Sequence, residues 1–188
     1  MQRGARKSGL GYVWIDSCCI NKANHVELNE AINSMFEWYR KAHICYVYLA
    51  DVVLSSDESV TLQAFRASRW FTRGWTLQEL LAPRHVLFYD KSWRLIGSKS
   101  ELASIIQQIT GIPTSFLKGR SLKEASVAQR LSWAAHRETT RIEDQAYSLL
   151  GLFGITGMSM IYGEREQAFV RLQTEIIRQG RGDQSLLT

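Results

Sequence analysis

The chain has 188 residues, 45% hydrophobic and 22% charged, with a formal net charge of +5. That is ordinary for one soluble globular domain with a proper core, and two prolines argue against extensive disorder. Lys and Arg are interleaved with Asp and Glu, apart from a short basic lead at Arg3, Arg6 and Lys7, so no nucleic-acid stripe is expected.

No apolar run is long enough for a bilayer, and the N-terminus lacks the apolar core of a secretory signal. Cys18, Cys19 and Cys45 are an odd number without a CxxC pair, which suggests reduced thiols and a cytoplasmic setting. The four histidines show no zinc spacing, so no metal is expected.

In chain order, Tyr12 to Asp16 (YVWID) reads as a buried strand ending in a small-residue turn. Asn24 with Glu27 is a capping pair, and Leu28, Ile32, Met35 and Tyr39 then repeat at helical spacing. Ile44 to Leu49 is a second strand, Leu62 to Ala67 a helical stretch and Val86 to Tyr89 a third strand. Trp93 to Gly97 is a further strand candidate. This β-α-β-α-β order predicts an α/β fold with a parallel sheet flanked by helices. Ser98 with Glu101 caps another helix, whose stripe Leu102, Ile105, Ile106, Ile109 stops at Gly111.

Beyond Pro113 only helices are expected. Capping boxes at Ser121/Glu124 and Thr140/Glu143 predict helices running to about 135 and about 153, and a last helix spans about 164–179. The expected organisation is an α/β core over 1–112, a helical part over 113–180 packed on it, and a polar tail over 181–188. Gly151, Gly154 and Gly157 follow a helix, not a strand, and are no dinucleotide fingerprint.

The segment Ser68–Pro83, SRWFTRGWTLQELLAP, is the most suggestive. Trp75 and Glu79 stand four apart, one turn apart on one helix face. An aromatic plate beside a carboxylate suits a flat cationic ligand. The other reading is that Thr76 and Glu79 form a capping box. Asp16 ends the first strand, where open sheets place ligands, but it could equally organise the turn. Arg69 and Arg73 could hold phosphate or pair with acidic neighbours. Cys18 and Cys19 fit small buried core residues better than nucleophiles.

Together the motifs resemble a known family. YVWIDSCCINK at Tyr12–Lys22, RGWTLQELLAP at Arg73–Pro83, FYD at Phe88–Asp90, RLSWAAHRETTRIEDQAYSLLGLFGI at Arg130–Ile155 and YGEREQAF at Tyr162–Phe169 are similar to fungal heterokaryon incompatibility (HET) domain proteins. The family usually opens with an earlier Y-x-x-L-S-Y-x-W-G block, so this chain is expected to be N-terminally short. It also more often has Gln where this chain has Lys22.

The resemblance implies a role in fungal allorecognition and programmed cell death. It also implies a TIR-like, flavodoxin-like fold, and many TIR domains cleave NAD when clustered, using a glutamate four residues after a tryptophan. It would make Glu79 catalytic, with Trp75, Asp16, Ser17, Cys18 and Arg73 lining the substrate site, and NAD a substrate, not a cofactor. It implies a homo-oligomer when active and a protein partner carrying the recognition domain. A non-enzymatic self-association module and an inactive truncated paralogue are the alternatives.

Overall fold

The computed structural model describes residues 9–180. The basic lead at Arg3, Arg6 and Lys7 and the tail 181–188 lie outside the described residues. The chain runs α1 (Asp16–Cys19), α2 (His25–Lys41), β1 (Cys45–Tyr48), α3 (Glu58–Arg66), a 3-10 turn (Arg69–Thr72), α4 (Thr76–Leu81), β2 (Val86–Tyr89) and β3 (Leu95–Ser98). It continues through α5 (Ala103–Thr110), α6 (Thr114–Leu117), a 3-10 turn (Leu122–Glu124), α7 (Val127–Ser132), α8 (Asp144–Tyr147), α9 (Leu150–Phe153) and α10 (Gln167–Gln179).

Among the described residues the sheet has three strands in the order β1-β2-β3. β1 and β2 are parallel, with Cys45 opposite Val86 and Tyr48 opposite Tyr89. β2 and β3 are antiparallel, so the sheet is mixed rather than parallel throughout. The cause is the short turn between Tyr89 and Leu95, since a parallel return needs a crossover of a dozen or more residues.

Asp90 organises that turn from a fully buried position. Its carboxylate accepts from Ser92 N at 2.8 Å, Arg94 N and Leu54 N at 2.9 Å, and Arg94 Nη2 at 2.7 Å. Burial works to raise its pKa, but these donors outweigh burial and hold it well below the usual carboxylate range. The turn fixes Trp93 at φ 59°, a left-handed conformation rare for a bulky residue. Its ring stacks on Tyr48 at 4.8 Å on the outward sheet face.

Tyr12–Asp16 is not a strand. Ile15 is extended, but the segment joins no sheet, and α1 begins at Asp16. Its Trp14 is satisfied by side-chain packing instead, lying edge-on to Trp38 at 5.3 Å and to Tyr39 at 5.5 Å, while Tyr12 is exposed. Ile20, Ala31 and Met35 form a small cluster beneath it.

The capping predictions divide. Asn24 Oδ1 accepts from Val26 N and Glu27 N, while the Glu27 carboxylate accepts from Asn21 N. Ser98 and Glu101 make a reciprocal box in the turn before α5, which itself starts after Leu102 without a side-chain cap. Ser121 and Glu124 make none; Glu124 pairs with Arg120, and α7 is capped by Ser126, whose Oγ accepts from Gln129 N. Glu143 is buried and accepts from Gly163 N and Arg165 N across a loop, so the helix expected from Thr140 is two short ones, α8 and α9. Gly154, at φ 69°, ends α9.

Inward-facing Cys45, Val47, Val86 and Phe88 meet one continuous core. Phe65, Trp70, Phe71 and Phe88 form its aromatic centre, with Phe65 and Phe88 crossing edge-on at 5.2 Å. Phe116, Leu150, Leu172 and Ile176 belong to the same core, so the helices after Pro113 complete it. Gly151 of α9 abuts Phe36 of α2, where a Cβ would strike the phenyl ring.

Phe88 is fully buried at the convergence of sheet and aromatic cluster. Phe88→Ala is expected to cost about 3–5 kcal/mol in urea unfolding. A loss below about 1 kcal/mol would show that this cluster does not carry the core.

Candidate functional site

The Trp-rich segment folds back on itself because its own polar groups demand it. Ser68 Oγ donates to Asp51 Oδ1 and Arg69 N to Asp51 Oδ2, both at 2.8 Å, which starts the 3-10 turn. Helix α4 follows with no side-chain cap at its start. The Thr76 hydroxyl lies 2.6 Å from the Trp70 carbonyl and 2.8 Å from that of Arg73. The capping-box reading of Thr76 and Glu79 is therefore not what the fold uses.

Two buried cations hold this helix. Arg137 Nη1 donates to Arg73 O and to Thr76 Oγ1, both at 2.9 Å. At the other end, Lys99 Nζ donates to Leu80 O at 2.9 Å and Pro83 O at 2.6 Å. Burial lowers both groups, Arg137 to about 10 and Lys99 to about 8. Gly74 N donates to Glu138 O at 2.8 Å, and Arg73 and Glu138 form a parallel bridge. The approach is so close that a Cβ on Gly74 would strike the Thr139 methyl.

Glu79 is half-buried. The Trp70 indole and the Tyr39 hydroxyl are its polar neighbours, and Asp16 and Arg73 its charged ones. Burial pushes its pKa up to about 7 and Asp16 adds to the rise; Trp70, Arg73 and Tyr39 oppose it. Burial also pushes the Cys45 thiol up to about 12, with Glu79 contributing. The result is a carboxyl poised near neutrality, in a cage that would stabilise its ionised form further if a cation approached.

The structure thus gathers Glu79, Asp16 and Arg73. Trp75 is turned to another partner: its indole N–H donates to Asp144 Oδ2 at 3.1 Å, and its ring packs with Tyr39 against the Ile20–Ala31–Met35 cluster. Ser17 and Cys18 are exposed on α1. Cys18 and Cys19 are free thiols 4.0 Å apart and both exposed, contrary to the expectation of buried core residues. Without a sheet pairing for Tyr12–Asp16, their short helix lies on the surface of α2's cluster. Desolvation, then Cys19 and Asp16, raises the Cys18 thiol, which is the wrong direction for a nucleophile.

Tyr39 and Arg137 are site residues that the linear pattern did not single out, while Trp70 belongs to the Trp-rich segment that it did. Tyr39 showed only helical periodicity, and Arg137 had no local signal. Two cavities of about 300 and 550 Å³ open elsewhere, and Glu79, Trp75 and Asp16 line neither. Among the described residues no His, Cys, Asp or Glu cluster is arranged for a metal. No described helix is long and apolar enough to cross a membrane.

Residues 2–61 match the family model described as heterokaryon incompatibility protein (HET). The chain is also 46% identical over 177 residues to vegetative incompatibility protein HET-E-1 of Podospora anserina. This likeness covers 92% of the chain, running well past the family model through Glu79 and Arg137. The chain belongs to the heterokaryon incompatibility family. It spans 13% of the length of that relative. No solved structure matches it.

In this HET chain, the close approach at Gly74 ties the Trp-rich segment to Glu138 and Thr139. Gly74→Ala is expected to lower stability by about 1–3 kcal/mol through overpacking. Adding Thr139→Ser, which removes the struck methyl, should restore part of it in thermal unfolding. Equal stability of Gly74→Ala and the unmodified chain would show that the contact relaxes freely.

Proposed function

We propose that this chain is an effector module of heterokaryon incompatibility, triggering cell death after non-self recognition, and that it acts by cleaving NAD with Glu79. The observation that carries the proposal is the half-buried Glu79 carboxyl, raised to about 7 among Tyr39, Trp70, Asp16 and Arg73. A carboxylate held this way gains most from a cationic group, and nicotinamide in NAD is one.

In the reaction the bond between the ribose anomeric carbon and the nicotinamide nitrogen breaks, and its electron pair stays with the departing neutral nicotinamide. The ribosyl oxocarbenium is stabilised by ionised Glu79, as in glycoside hydrolysis. Water adds to the anomeric carbon and releases a proton. The leaving group is already cationic, so no general acid is required. In this reading Asp16, Ser17 and Cys18 would border the ribose, Arg73 would take the phosphates, and Trp75, whose indole is anchored on Asp144, would support the wall. Activity requires clustering into a homo-oligomer, driven by a recognition domain on a partner chain or elsewhere in a longer protein.

A second reading is assembly without catalysis. It is favoured by the outward sheet face, where Tyr48 and Trp93 are 41% and 42% exposed and Leu95 is 52% exposed.

NAD consumption by protein clustered on a multivalent tag tests the choice. The unmodified chain should consume NAD and Glu79→Gln should not. Loss of NAD at equal rates in both would remove Glu79 from the mechanism. No loss in either, from folded protein, favours assembly. The rate should rise with pH through about 7 as Glu79 ionises.

Stability should move oppositely. The folded pKa of about 7 lies above the ordinary 4.5, so the folded state binds more protons between those values and loses stability as pH rises through that window. Glu79→Gln is therefore expected to be more stable than the unmodified chain at pH 8, by about 3 kcal/mol, with the gap closing below about pH 4. A Gln variant less stable at pH 8 would show that the ionised carboxylate is structural.

A further inference from the structure

Helix α1 carries two adjacent cysteines, Cys18 and Cys19, and the fold leaves both at the surface as free thiols. Their sulfurs are 4.0 Å apart. Successive side chains on a helix diverge by about 100°, so sequence neighbours do not ordinarily face each other. Here Ile15, the residue before the helix, draws the two together. Its N–H donates to Cys19 Sγ at 3.4 Å, and its carbonyl accepts from Cys18 Sγ at 3.8 Å. One backbone residue thus orients both sulfurs, as outer-shell hydrogen bonds orient the ligands of a metal ion.

Neither core packing nor nucleophilic chemistry accounts for the pair, since both thiols are exposed and the Cys18 thiol is raised. Cys45, by contrast, faces the core and is buried. Two thiolate–metal bonds of about 2.3 Å span the sulfur separation at a bond angle of about 120°. The pair therefore bridges one ion with little movement and leaves its third side open to solvent. A structural zinc site needs four protein ligands, and among the described residues no further His, Cys, Asp or Glu joins the pair in such a group. Thiolates few in number suit a soft ion that accepts two or three of them.

We infer that Cys18 and Cys19 form a two-thiolate site for a soft monovalent metal ion, with Cu(I) the cellular ion of that class. On binding, each thiol releases its proton to solvent and its sulfur forms a bond to the ion. One Cu(I) and two thiols become a bis-thiolate complex with one net negative charge, and no electron is transferred. Water or a low-mass thiol fills the open third position. Occupancy pins the short turn that begins at Asp16, a charged neighbour of Glu79. The site stands or falls without NAD cleavage, because its readouts are affinity and coordination.

The test titrates the reduced, full chain with Cu(I), supplied without oxygen as its acetonitrile complex, against the colorimetric chelator bathocuproine disulfonate. The unmodified chain should retain one Cu(I) per molecule. Cys18→Ser and Cys19→Ser each keep Cys45 in place and should each weaken retention by about a hundredfold or more, beyond the usual loss from an outer-shell contact. Zinc at equal concentration should not displace the ion. X-ray absorption of the loaded chain should show sulfur as the nearest shell. A serine variant that holds Cu(I) as tightly as the unmodified chain overturns the proposal, because one thiol then suffices. Displacement by zinc, or a nearest shell of nitrogen and oxygen, overturns it as well. The absorption measurement on the unmodified chain decides the matter even if a variant fails to fold.

Discussion

Arg137 and Lys99 grip the two ends of a six-residue helix that has no side-chain cap of its own, and the rest of the molecule is arranged around that grip. A helix this short does not stand alone in water. Lys99 takes up the Leu80 and Pro83 carbonyls, where cations are favourable to the helix dipole. Arg137 ties the first residue of the helix to the turn before it. Both cations are desolvated, which lowers their pKa, and the carbonyls they bind offset part of that cost.

This arrangement explains why the helices after Pro113 cannot be regarded as an appendage. Arg137 and Glu138 come from them, and Phe116, Leu150 and Leu172 complete the core begun by Val47 and Phe88. The Glu79 environment draws on both parts. Tyr39 and Asp16 approach from the N-terminal segments, while Asp144 fixes Trp75 from the C-terminal one. An altered contact in the C-terminal helices can therefore reach the Glu79 cage through the orientation of α4.

The sheet is small and buried on one face by this core. Asp90 reverses the chain with its full set of donors, and Trp93 accepts a left-handed backbone in exchange for stacking on Tyr48. The strained residue lies on the outward aromatic face of the sheet.

Local signals in the sequence were sufficient for β1, β2, the Asn24 cap, the reciprocal Ser98/Glu101 box, the stop at Gly111 and the placing of Trp75 and Glu79 one turn apart. Each rests on residues within a few positions of one another, so periodicity and capping chemistry reveal it. The long motifs were likewise sufficient for the family. What only the tertiary structure decided involves partners far apart in the chain. Tyr12–Asp16 has strand composition but docks on α2, because an extended segment becomes a strand only if an edge is there to pair with. Glu143 has cap spacing but turns to Gly163 and Arg165. Glu79 acquires its raised pKa, and Arg137 its buried and partly unpaired guanidinium, from neighbours that no local window contains, since burial and Coulomb interaction depend on distance in space and not on separation along the chain.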